Sequence, residues 1–189
     1  MDHDAASGER ATQALQLATE LHRPLGRAAR LAHGNGSVML VIGSLSALFG
    51  LLGPDGVTFA MGGIAAATGW FERRDGERLR RGDPLAPAAL ARNELLLLVA
   101  VAIYCVLNLT LLRPSGEELE RAAGGALPGV DIQALTDQLT NLVYPTLLIV
   151  SLLVQGGFAR HYARQRAAVE RYRSEVPDWA RSAVESISA

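Results

Sequence analysis

Few residues of this chain combine a reactive side chain with a spacing that chemistry could use. His3, His22, His33 and His161 could each bind a metal or act as a base, but they are scattered without metal-ligand spacing. Gly43-Ser44 and Ser151 bring hydroxyls into apolar stretches, where no histidine accompanies them as a base. Glu94 stands two residues from Arg92 at the start of an apolar run, and the two read as an interfacial ion pair. Asn108, Thr110 and Gln155 are the polar groups within the runs that could face water. Interhelical amides contribute about 1 kcal/mol or less, so these residues read first as structural hydrogen-bonding groups. A permeation role would need several of them on one axis. No aspartate, glutamate, lysine, arginine or histidine sits midway along any apolar run. Proton relays, voltage sensors and most ion-coupled transporters require such a group.

Two motif fragments fail on their missing partners. Asp75-Gly76, in an arginine-rich stretch, resembles the start of the CDP-alcohol phosphotransferase motif, but the later aspartates that hold two metal ions have no counterpart. Glu117-Glu118 resembles the start of an intramembrane metalloprotease signature, and no histidine ligand follows within a span. The expectation is a non-enzymatic chain without catalytic residues, cofactor or metal. The single cysteine, Cys105, allows no intrachain disulfide and behaves as a small hydrophobe. A net charge of −1 gives no reason to expect nucleic acid.

The elements that carry these residues follow from four apolar runs, at 38–53, 57–71, 95–112 and 142–159. Threading them across a bilayer collects 16 of the 18 arginines on one side and leaves Arg113 and Arg121 on the other. That is the positive-inside pattern of a four-span protein with both termini in the cytoplasm of a bacterial-type cell. The expected fold is all-α and polytopic. A cytoplasmic amphipathic segment (1–36) leads to a short transmembrane hairpin (37–71) and an arginine-rich loop (72–93). A third span (94–113), an acidic outer loop (114–140), a fourth span (141–159) and a cytoplasmic helical extension (160–189) complete it. The hairpin runs are short, about 24 and 22 Å against a hydrocarbon core of about 30 Å. They either cross a thinned bilayer or turn back within it, and charged Asp55 at the tip favours crossing.

Outside the spans, Ala14, Leu17, Ala18, Leu21, Leu25 and Ala28 recur at helical spacing. Pro24 should split or kink that helix, and His33-Gly34-Asn35-Gly36-Ser37 should end it. Its arginines, Arg23, Arg27 and Arg30, would face headgroups if the helix lies on the membrane; alternatively the helix packs on the protein's own cytoplasmic loops. Asp131 is an expected N-cap, Pro145 an expected kink, and Val176, Trp179, Ala180, Ala183, Val184 and Ile187 one face of a terminal amphipathic helix.

The clearest interaction signal is small residues four apart. Gly43 pairs with Ala47 and Ser46 with Gly50; Gly62 pairs with Ala66, Gly63 with Ala67, and Ala65 with Gly69. Such stripes let helix backbones approach closely, either within the hairpin or between copies in a homo-oligomer. Arg73 and Arg74 after span two, and Arg160, Arg164 and Arg166 after span four, are the candidate contacts to anionic lipid headgroups, at about 1 kcal/mol each. The function expected is structural, accessory or assembly, with the lipid bilayer and a membrane-complex partner as contacts. An oligomeric pore or small transporter without an ionisable intramembrane site is the alternative.

Overall fold

The computed structural model describes residues 2–53, 55–112 and 131–188. Five helices account for nearly all of them: α1 (Asp2–Leu52), α2 (Gly56–Arg80), α3 (Ala86–Thr110), α4 (Ile132–Glu175) and α5 (Asp178–Ser188). Three, α1, α3 and α4, contain stretches long and apolar enough to cross a membrane. Of the expected acidic outer loop (114–140), residues 114–130, with Arg121, Glu117 and Glu118, lie outside the described residues, as does Arg113, while Asp131 caps and 132–140 begin α4. Pro54 of the expected hairpin turn also lies outside the described residues.

One correction concerns α1. It runs unbroken through both Pro24 and the 33–37 segment, so the surface helix and the first apolar run are one element of 51 residues, about 76 Å long. Proline and glycine do weaken a helix there, by about 3 and 1 kcal/mol in isolation. Packing on both sides offsets this. Leu25, Ala28, Ala29 and Ala32 are buried next to Pro24, and Gly36 lies against α2. Pro145 is likewise contained within continuous α4, and Asp131 caps it by accepting from the Ala134 amide at 2.9 Å.

The core bears on the two packings open to the N-terminal helix. The buried apolar cluster lies almost wholly in the half nearer the chain termini. Ala18, Leu25, Ala28 and Ala32 meet Leu79, Ala86 and Leu90, then Tyr162, Val169 and Tyr172 of α4, and Val176, Ala180 and Val184 at α5. The N-terminal helix therefore packs on the protein itself. His22 joins this core, donating from Nε2 to the Arg80 carbonyl at 2.8 Å, with its ring 5.6 Å from that of Tyr172. The terminal helix is split differently from expectation. Val176, Ala180 and Val184 face inward, whereas Trp179 and Ile187 face out.

The turn after α2 closes this half. Gly82 adopts a left-handed φ of 68°. Its amide bonds to the Leu79 carbonyl (2.9 Å) and the Asp83 amide to that of Arg78 (3.0 Å), the paired bonds that finish a helix with glycine. Asp83 then holds the Leu85 amide and the Arg78 guanidinium, fixing the start of α3. Beyond this half, the apolar runs pack as two antiparallel hairpins, α1 on α2 and α3 on α4, whose outer faces expose Phe49, Trp70, Leu96, Ile103, Ile149 and Leu153.

Candidate functional site: a buried carboxyl pair between two hairpins

The α1–α2 seam is what places the site. Gly36, Gly43 and Gly50 follow one another at seven residues on α1, and Gly62, Gly69 and Gly76 do so on α2. A seven-residue period holds one seam along two coiling helices. At five of these glycines a β-carbon would collide with opposing backbone: Gly43 with Ala66, Gly50 with Phe59, Gly62 with Ala47, and Gly36 with Gly69 in both directions. Gly76 continues the seam past the apolar run, its β-carbon position lying 3.0 Å from the Ala32 methyl. The four-residue pairs read from sequence catch only part of this. Gly43, Ala47, Gly50, Gly62, Ala66 and Gly69 are in the seam, with Ser46 half-buried beside them. Gly63 and Ala67 are not: both are exposed on the outer face, and nothing lies within 4 Å of a β-carbon at Gly63. Gly36 and Gly76 were missed, although their seven-residue spacing was legible.

This close approach sets Asn35 opposite Glu72. The Asn35 Nδ2 donates to both Glu72 oxygens, at 3.0 and 2.8 Å. From α4, the Tyr162 hydroxyl donates to Glu72 Oε1 at 2.8 Å. From α3, Glu94 contacts Glu72 carboxyl to carboxyl. Each glutamate is only 1 % exposed. All four long helices thus supply one group to a single cluster. Nearby, Asn93 donates to the Thr68 carbonyl at 3.0 Å, tying α3 to α2.

The electrostatics follow from this inventory. No cation lies among the groups bonded to either carboxylate, and two adjacent buried carboxylates cannot both ionise. Glu72 receives three donated hydrogen bonds, so it is the partner able to carry the charge. Burial nonetheless pushes its carboxyl above the usual range, while the Asn35 and Tyr162 bonds oppose that rise. Glu94 then carries the shared proton and gives it to Glu72 in a hydrogen bond, the arrangement of paired acids that titrate as a unit. Its Oε1 is buried without a hydrogen-bond partner among the described residues. The expected pair of Glu94 with Arg92 does not form. Residues two apart point to opposite sides of a helix, and Arg92 is exposed.

The other sequence candidates fall elsewhere. Asn108 donates to the Tyr104 carbonyl and accepts from the Tyr144 hydroxyl, both at 2.9 Å, which binds α3 to α4. The Thr110 hydroxyl bonds back to Val106 at 2.8 Å. Gln155 is 93 % enclosed on α4, with Oε1 unpartnered among the described residues, two turns from Tyr162. Among the described residues no hydrogen bond joins any two of these three. Arg160, Arg164 and Arg166 are exposed on α4, and Arg74 is exposed on α2, while Arg73 is half-buried over Gly36. Among the described residues, no three histidine, cysteine, aspartate or glutamate side chains are grouped to hold a metal ion. The chain matches no protein-family model, no curated protein and no solved structure.

Proposed function

We propose that this chain is a non-enzymatic, multi-pass membrane protein of accessory or assembly type. Its two helical hairpins stand in the bilayer of a bacterial-type cytoplasmic membrane, and its bundle of helix ends lies in the cytoplasm. The observation that carries the reading is the segregation of packing. The bundle near the termini buries a continuous core, whereas the apolar halves of α1, α3 and α4 are buried over only about a fifth of their length or less. Surface of that kind is covered by lipid or by helices of another membrane protein. In this reading α2 is the fourth crossing, because its apolar turns run back along α1 from Asp55 to Trp70. The arginine distribution supports a cytoplasmic side for both ends of the chain.

The polar groups support packing over conduction. Asn108 and Thr110 are engaged within their own hairpin, and the carboxyl pair joins the hairpins to each other. Two measurements test the reading. Purified protein fused into planar bilayers should carry no ion current, and a reproducible conductance would overturn it in favour of the pore. A cysteine at Asp55 in a Cys105-free background should react with an impermeant thiol reagent on intact cells. Labelling only after solubilisation would reject the fourth crossing.

A further inference from the structure

We propose that a groove between α1, the end of α2 and α5 binds a soluble phosphate-bearing ligand. Its volume is about 650 Å³, within the range of small-molecule sites. Arg23, Arg27 and Arg30 line it from α1, Arg80 from α2, and Val184 and Ile187 from α5. Among the described residues no carboxylate lines it, and Glu77, which pairs with Arg80, lies outside it.

The three α1 arginines stand at i, i+4 and i+7, so they share one helix face and span about 10 Å. None is in an ion pair among the described residues, in contrast to Arg78, Arg80, Arg81, Arg171 and Arg181, which pair with nearby acids. Three guanidinium groups gathered in a concave site without counter-charge repel one another, and a phosphate relieves that repulsion with charge-assisted, often bidentate, hydrogen bonds. The groove is held open by the core beneath it. Its floor at Gly26 has free space, since a β-carbon there would meet only the His22 ring at 3.9 Å. Val184 gives the groove an apolar wall, with the exposed Ile187 at its rim, which suits an organic portion attached to the phosphate.

Distance from the membrane separates a soluble ligand from a lipid. Arg30 precedes Val38, the first residue of the 38–53 apolar run, by eight positions and Arg23 by fifteen, which is about 12 and 22 Å along continuous α1. A headgroup layer is only about 5–8 Å deep on each side of the hydrocarbon. It ends within the 33–37 segment, short of Arg27 and Arg23.

The test uses the full chain in nanodiscs of zwitterionic phosphatidylcholine, titrated with inorganic pyrophosphate in a calorimeter. Saturable binding is expected, weakened by about tenfold for each arginine removed in Arg27→Gln with Arg30→Gln. The variant Arg10→Gln with Arg92→Gln loses the same charge from exposed positions elsewhere and should bind as the parent does. Absence of saturable binding would overturn the proposal. So would equal weakening in both double variants, which is the signature of non-specific attraction. Binding of the arginine face only when anionic phosphatidylglycerol is added to the disc would also overturn it, by assigning the groove to a headgroup.

Discussion

Replacing Glu94 by glutamine should remove the pH dependence that the buried pair imposes on stability while leaving the fold intact. Glutamine is the neutral isostere of the protonated acid, and its amide can still donate to Glu72. In the native protein the pair keeps one proton, whereas in the unfolded chain both carboxyls ionise above about pH 4.3. The folded state therefore holds one proton more than the unfolded state, and stability falls by about 1.4 kcal/mol for each pH unit above that point, until the pair itself ionises. The contribution is fully present below the unfolded value and is lost as pH rises. Between pH 5 and 7 this amounts to about 2.7 kcal/mol. Denaturant unfolding in detergent, followed by the fluorescence of Trp70 and Trp179, should show that loss in the parent and, in Glu94→Gln, only the smaller loss that comes from the raised Glu72 carboxyl. Comparing the two proteins at each pH cancels the contribution of every group common to both. Glu72→Gln should behave differently. It sets an amide against the Asn35 and Tyr162 donors, costs about 2–4 kcal/mol at all pH values, and leaves a buried Glu94 that still retains its proton. Infrared difference spectra should carry a protonated-carboxyl band in the parent that Glu94→Gln removes. An unchanged pH slope in Glu94→Gln, or identical behaviour of the two variants, would refute the assignment of one proton to Glu94.

Two buried tyrosines should separate in the same way. Tyr162→Phe loses a bond to the charge-bearing Glu72 and should cost about 1.5–3 kcal/mol in denaturant unfolding. Tyr172→Phe should be neutral or slightly stabilising, because its hydroxyl is buried without a partner among the described residues. In the seam, Gly43→Ala meets opposing backbone that no rotamer can move, and should destabilise by about 1–3 kcal/mol. Gly63→Ala points into open space and should leave the melting temperature of the detergent-solubilised protein unchanged or raise it slightly, since alanine favours the helix.

Apolar length and periodicity made the helical class and the apolar spans readable, because burial in lipid demands long uninterrupted runs. Local grammar misled at 33–37. Glycine, asparagine and serine there look like a helix end, yet Gly36 is needed for close approach to Gly69, and Asn35 is needed to bond Glu72. The same residue types serve chain termination and tight packing, and only the partner helix distinguishes them. The carboxyl pair was hidden for a related reason. Glu72 and Glu94 are 22 positions apart, each beside arginines that suggest ordinary interfacial charge, and nothing local reports that the chain turns at Gly82 to bring them together. A sharper reading of Glu94 was available, since Arg92 could not have reached it from the opposite side of the helix.

The glycine seam has a mechanical consequence. Side chains between helices act as compliant spacers, able to change rotamer and let one helix slide on another. Where backbone touches backbone at five glycines over about four turns, that compliance is gone, and α1 with α2 must move as one stiff lever. A tilt imposed on its apolar end arrives at the other end undiminished, carrying Arg23, Arg27 and Arg30 with it. The line along which such a lever meets the rest of the molecule passes through Thr68 and Asn93, Glu72 and Glu94, and Tyr162, and then through the core that Leu25 and Ala28 share with Tyr172 and Ala180. One shared proton sits midway along it.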